Sequence, residues 1–382
     1  MAGVADLLED KDVCICAGSG GVGKTTTAAA IALGMAGRGL SVCVLTIDPA
    51  KRLADSLGLA ELGNDAERVD PALLEAQDSP VEGELWAMML DAKATFDELV
   101  ARHAPDEESR ERVLRNRIYQ QISTALAGSQ EYMAMEKLFE LHSEGRFDLL
   151  VLDTPPTRNA LDFLDAPRRL MQFIEGRSMR VFMKPTGMAA RVAGRGAGVA
   201  LSIVRRIVGF DLLADLSEFF TAMSGMVDGF RERARRVDEL LAAPRTSFLV
   251  VCGPSGEPVD EAVYFHRKLV EAKLPFGGVI VNKVHRLPDY AGGDGEDLRG
   301  GLRTALDDGD LADRVAANYA DYLSLAERDS RNIDHLAAEL RTRSVIRVPY
   351  LDEDVHDLSG LADLNRFLFA AGRDPAATAT DG

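Results

Sequence analysis

Hydrophobic positions along the chain gather in short continuous runs rather than in strict alternation. They lie at residues 13–17, 42–47, 85–90, 149–152, 247–252, 278–281 and 345–348. Each run is rich in aliphatic residues and is bounded by turn formers. That pattern predicts strands whose two faces are both covered. Between most of the runs, apolar residues recur at helical spacing, as over 26–38 and 129–144. Strands alternating with helices predict an α/β fold built on a doubly wound, mostly parallel sheet. One long stretch, 166–241, contains no run that reads as a strand, and it predicts a helical subdomain inserted into the core. The core is then expected over 1–165 and 242–371, with a disordered tail at 372–382.

Charge narrows the class of partner. The 382 residues carry 61 acidic and 44 basic side chains, a formal net charge of −17. A generic nucleic-acid binder would be basic, so no nucleic-acid partner is expected. Within the strandless stretch, residues 166–210 reverse the sign, with nine basic residues, one acid (Glu175) and four of the 12 methionines. Flexible thioethers suit adaptable apolar surfaces, and the basic residues suit acidic lipid or an acidic partner. The four cysteines, Cys14, Cys16, Cys43 and Cys252, form no C-x-x-C pair and fall in predicted strands, as reduced thiols do. No apolar run reaches about 18 residues, and the N-terminal residues lack a basic segment followed by an apolar one. A cytoplasmic chain is expected, peripheral to a membrane only through a partner.

The chemistry begins after the first strand. Residues Gly18-Ser19-Gly20-Gly21-Val22-Gly23-Lys24-Thr25 match G-x-x-x-x-G-K-[ST] between a strand and a helix. Glycines let successive N–H groups turn inward around a phosphate, and the helix N-terminus adds its positive end. Lys24 is placed to reach the β- and γ-phosphates and Thr25 to bind Mg²⁺. The same glycines also fit the dinucleotide fingerprint, with Asp48 where a ribose-binding acid would stand. Lys24-Thr25 is surplus to that reading, and Asp153 closes a later apolar strand where a metal-binding aspartate belongs. A nucleoside triphosphate site is therefore expected. Asp48, at the end of the second strand and followed by Pro49, can orient or deprotonate an attacking water.

Together, Gly18–Thr26, Asp48-Pro49-Ala50 and Asp153-Thr154-Pro155-Pro156-Thr157 resemble the arsenite-pump and tail-anchored-protein-targeting ATPases. These form part of the deviant-Walker branch of P-loop enzymes. The resemblance implies ATP and Mg²⁺ as cofactors, and a dimer that ATP closes and hydrolysis opens for a client or membrane partner. It implies that Gly20, Gly21, Val22, Gly23, Lys24, Thr25 and Thr26 cradle phosphates. Thr25 would then hold Mg²⁺, with Asp153 in the second switch and Asp48 activating water in the first. It also implies that Asn282 reads adenine, and that Pro349, in Pro349-Tyr350-Leu351, belongs to the loop beneath the base.

The sequence departs from that family in three places. Ser19 stands where the family has a lysine that reaches the partner's phosphates. A short uncharged serine cannot do so, which implies either a weakly active homodimer or a heterodimer with a paralogue carrying the lysine. In the second case the chain could be a regulatory, ATP-binding subunit. Arg158 is a candidate substitute. Lys51-Arg52 replaces the His-Asn that follows Asp48-Pro49-Ala50 in the targeting factors. Finally, no cysteine pattern suits an arsenite site or a zinc clasp between subunits. The end of the chain, AAGRDPAATATDG, also lacks the basic amphipathic helix of membrane-patterning relatives.

Overall fold

A computed structural model describes residues 3–48, 51–75, 81–125, 129–155, 166, 219, 221, 225–287, 295–306 and 308–370. Its strands are β1 (Val13–Ala17), β2 (Ser41–Thr46), β3 (Glu67–Arg68), β4 (Glu84–Met89), β5 (Leu149–Asp153), β6 (Thr246–Cys252), β7 (Phe276–Val284) and β8 (Val345–Pro349). They form one eight-stranded sheet in the order β3-β4-β2-β5-β1-β6-β7-β8. Every pairing is parallel except that of β3 with β4. All seven apolar runs are strands. The additional one, β3, is two exposed residues on the sheet edge, too short and too polar to show as a hydrophobic pattern.

The described helices are α1 (Val4–Leu7), α2 (Lys24–Ala36), α3 (Arg52–Ser56), α4 (Pro71–Glu75), α5 (Ala92–His103), α6 (Glu107–Arg115), α7 (Arg117–Ala125), α8 (Ser129–Glu144), α9 (Val227–Ala242), α10 (Gly256–Ala272), α11 (Gly295–Leu306), α12 (Gly309–Leu340) and α13 (Leu358–Leu368). They cover both faces of the sheet. On β1, Val13 and Ile15 join a core with α5, α8, α9, α10 and α12, while Cys14 and Cys16 join a second core with α2 and α13. Alternate residues of one strand thus enter opposite cores, and a continuous apolar run is the sequence this requires.

Helix α2 is almost wholly buried, and its run of alanines lets it lie close to the sheet. At Gly34 a Cβ would stand 2.2 Å from the Phe369 ring just beyond α13, so any side chain there would have to displace that ring. Helix α9, within the stretch expected as an insertion, packs on α8 and β6, and its Phe230 ring meets Phe96 of α5. The basic, Met-rich segment 166–210 and the tail 372–382 lie outside the described residues, Ala166 excepted. Among the described residues no helix is long and apolar enough to cross a membrane.

Candidate functional site

Strand register assembles the site. β5 lies between β1 and β2, with Asp153 opposite Cys16 on one side and Thr46 on the other. The carboxyl ends of three neighbouring strands therefore converge, which is where open α/β sheets bind ligands. The loop between β1 and α2 crosses above them. Its first glycine, Gly18, passes so near β6 that a Cβ would come within 1.9 Å of the Val251 carbonyl oxygen. Gly21 and Gly23 adopt φ of 78° and 89°, left-handed values that glycine takes without a Cβ clash. Gly20 and Gly21 are exposed, while Val22 is buried and anchors the loop in the core beneath. Thr25 and Thr26 lie in the first turn of α2.

Asp153 is only 1% exposed. Its Oδ2 accepts hydrogen bonds from Thr25 Oγ1 at 2.7 Å and Thr46 Oγ1 at 2.9 Å. Its other oxygen, Oδ1, is buried without a partner among the described residues. Burial pushes the Asp153 carboxyl above the usual range, against the two hydroxyls and the charge of Lys24. Lys24 is buried too, and its Nζ donates to the Ser19 carbonyl at 2.7 Å. Burial pulls the Lys24 ammonium down, with the Asp153 and Asp48 carboxylates opposing and Arg52 adding a little in the same direction as burial. Two threonine hydroxyls and an orphaned carboxylate oxygen are hard donors that fit a divalent cation, and a lysine under a glycine loop fits a phosphate. Thr25 and Asp153 are the groups that would hold it.

Asp48 follows β2, and its backbone N–H donates to Thr46 Oγ1 at 3.2 Å. Thr46 thus ties Asp48 to Asp153. The sequence reading missed Thr46, although it is the single polar residue inside the apolar run 42–47. Asn282, 8% exposed, sits over the phosphate loop, with Nδ2 donating to the Val22 carbonyl at 2.9 Å. Pro349 ends β8 opposite Val284, and Tyr350 N–H continues that ladder to the Val284 carbonyl at 2.9 Å. Tyr350 is exposed and stacks on His285, whose Nδ1 pairs with the buried Asp329 at 2.7 Å. Beyond Asp48, Arg52 opens α3 and Lys51 makes an exposed ion pair with Glu61 at 3.6 Å. Arg158 lies outside the described residues. The four cysteines are buried and free. Burial lifts Cys43 and Cys252 to about 12, and Cys16 is held well above the thiol range by its Cys14 neighbour and by burial. None is presented as a nucleophile or a ligand.

Comparison with known proteins agrees with this geometry. A family model described as anion-transporting ATPase matches residues 11–296. A protein of Aquifex aeolicus named arsenical pump-driving ATPase 1 is 27% identical over 282 residues, 71% of this chain and 63% of its own length. ATPase get3 of Schizosaccharomyces japonicus is 24% identical over 250 residues, 65% of this chain and 67% of that protein. ATPase GET3 of Kluyveromyces lactis is 22% identical over 335 residues, covering 85% and 79%. The chain therefore spans just under two thirds of the first relative and somewhat more of the other two. Because the matched segment takes in the glycine loop, Asp48, Asp153 and β7 together, the chain belongs to the anion-transporting ATPase family.

Proposed function

We propose that this chain binds ATP with Mg²⁺, hydrolyses it, and works as a dimeric switch that couples nucleotide state to a client or membrane partner. The observation that carries the reading is the Asp153 carboxylate, fixed by the hydroxyls of β2 and α2 with one oxygen left over. A buried carboxylate with one oxygen unpaired among the described residues supports a metal-holding role better than a turn cap. Bound Mg²⁺ would supply charge neutralisation across the β- and γ-phosphates. Lys24 would hold its ammonium against the phosphates, in a buried place where charge acts more strongly than in water. The backbone N–H groups from Gly20 to Thr26 would line the cradle. Asp48, less buried than Asp153, would orient the attacking water and accept its proton. Asn282 and Pro349 would flank the base.

Calorimetry and phosphate release on the purified chain test this. ATP should bind in the presence of Mg²⁺ and lose most of its affinity with chelator. Lys24→Ala should cut turnover by roughly 10²–10³, and Asp48→Asn should bind ATP while releasing little phosphate. A chain that takes up no adenine nucleotide would sink the proposal. A second reading rests on Ser19, whose short side chain supplies no charge beyond its own site. In that reading the chain is an ATP-binding regulatory subunit of a heterodimer, and a catalytic paralogue carries the lysine. Tight ATP binding with turnover that rises only when such a paralogue is added would favour it.

A further inference from the structure

Strand β7 carries an irregularity beside the phosphate loop. Against β8, Val281 pairs with Arg347 and Val284 with Pro349, so three steps along β7 match two along β8. The extra residue makes a bulge, a device that re-aims side chains and is common near functional sites. Asn282 and Lys283 occupy it. Lys283 has φ of 62°, an uncommon left-handed value that is strained for a residue with a Cβ. Its N–H is held by Asn282 Oδ1 at 2.9 Å. An observed backbone outlier of this kind is a reason to look for a task.

The two side chains do one thing together. Asn282 Nδ2 donates to the Val22 carbonyl at 2.9 Å, and Lys283 Nζ donates to the Gly21 carbonyl at 3.2 Å. These are consecutive peptide units of the phosphate loop. No peptide bond in the described chain is cis. In a trans peptide the C=O of one residue and the N–H of the next point in opposite directions. Pinning the Gly21 carbonyl outward therefore turns the Val22 N–H inward, and pinning the Val22 carbonyl does the same for Gly23 N–H. Gly23 is suited to this twice. Its φ of 89° needs glycine, and a Cβ there would stand 2.4 Å from Asn282 Nδ2. Among the described residues Lys283 forms no carboxylate ion pair, so the carbonyl is its partner.

We infer that Asn282 and Lys283 form a clamp that presets the phosphate loop, making both of them positioning residues for the polyphosphate. The inference rests on the nucleotide reading above and differs from adenine recognition, which concerns only the base. A clamp acts on the phosphate cradle, so its loss should weaken every ligand that fills the cradle by one common factor, whatever the base. Lys283 is exposed, and Lys283→Met is therefore the primary variant; Lys283→Arg keeps a donor that can reach a carbonyl.

Affinities for Mg-ATP, Mg-GTP and magnesium tripolyphosphate, which has no base, are to be measured alongside thermal midpoints. Lys283→Met and Asn282→Ala should each weaken all three by about tenfold, the size expected from a lost hydrogen bond to a charged or buried group. Lys283→Arg should restore most of that loss, and Lys283→Met should keep the wild-type midpoint. Unchanged tripolyphosphate affinity in both variants overturns the clamp. So does a loss confined to ATP, which would mark a base reader. Wild-type chain that binds none of the three overturns the nucleotide reading and the clamp with it.

Discussion

At the scale of single residues, Thr46 shows how the site is set by what surrounds a carboxylate. Asp153 Oδ2 collects hydroxyls from Thr25 and Thr46, and Thr46 also receives the Asp48 N–H. Thr46→Val keeps the shape of the side chain and removes the donor. A hydrogen bond to a charged group is worth about 1.5–3 kcal/mol. The variant should therefore hold the ionised form of Asp153 less well, and burial already disfavours that form. Turnover of Thr46→Val titrated with Mg²⁺ should need roughly tenfold or more additional cation for half-maximal rate, while ATP affinity without Mg²⁺ stays near wild type. An unchanged Mg²⁺ requirement would show that Thr46 only fills space. The lysine, the glycines and both aspartates were legible in the sequence because their spacing carries the chemistry. Thr46 left a weaker mark, one polar residue in an apolar run. Asn282 was legible only through the family resemblance, and its pairing with Lys283 on the loop was not, because that depends on how β7 slips against β8.

At the scale of elements, the seven long strands were readable because each serves two cores and is therefore mostly apolar. The lone antiparallel edge strand β3 was not, since its two residues, Glu67 and Arg68, are exposed. Contacts at the far ends of the strands were also beyond the sequence. Asp12, just before β1, receives Arg245 Nε at 2.5 Å from the residue preceding β6, and His142 of α8 approaches it at 3.5 Å. The hydrogen-bonded Arg245 guanidinium holds the Asp12 carboxyl below its usual range, outweighing burial, which pushes the other way. A lowered folded-state value means that folding favours the ionised form. The stabilisation is thus complete above the unfolded value, about 4, and is lost as pH falls through the folded one. Asp12→Asn should melt earlier than wild type at pH 7, and the difference should close as pH falls through the lowered folded-state value of Asp12. A gap that persists in acid would mean that packing, not the charge, ties β1 to β6.

At the scale of the whole molecule, charge bears on how two subunits of the proposed dimer would meet. Within one site, Lys24 and Arg52 are balanced by Asp48 and Asp153, with Lys283 adding one cation at the rim. The described side chains therefore bring little net charge to a triphosphate. In the proposed dimer a lysine at position 19 would make up the difference from across the interface, and Ser19 cannot. Two copies of a chain at −17 also repel at long range, a force that a less acidic partner would relieve and that salt screens over about 8–10 Å. The residue change and the charge balance both point away from an efficient homodimer. Ser19→Lys should consequently raise ATP turnover of the chain alone by about tenfold or more, since a cation delivered to the transferring phosphate in trans is worth orders of magnitude. The gain should depend on protein concentration, as a contribution across an interface must, and should shrink when the Ser19→Lys chain is diluted into an excess of Lys24→Ala chain. That second chain keeps Ser19, so it occupies the partner position without delivering the charge. Turnover that rises independently of concentration would place the new lysine in its own site. Turnover that does not rise at all would mean that the charge missing at Ser19 is already supplied from elsewhere in the chain.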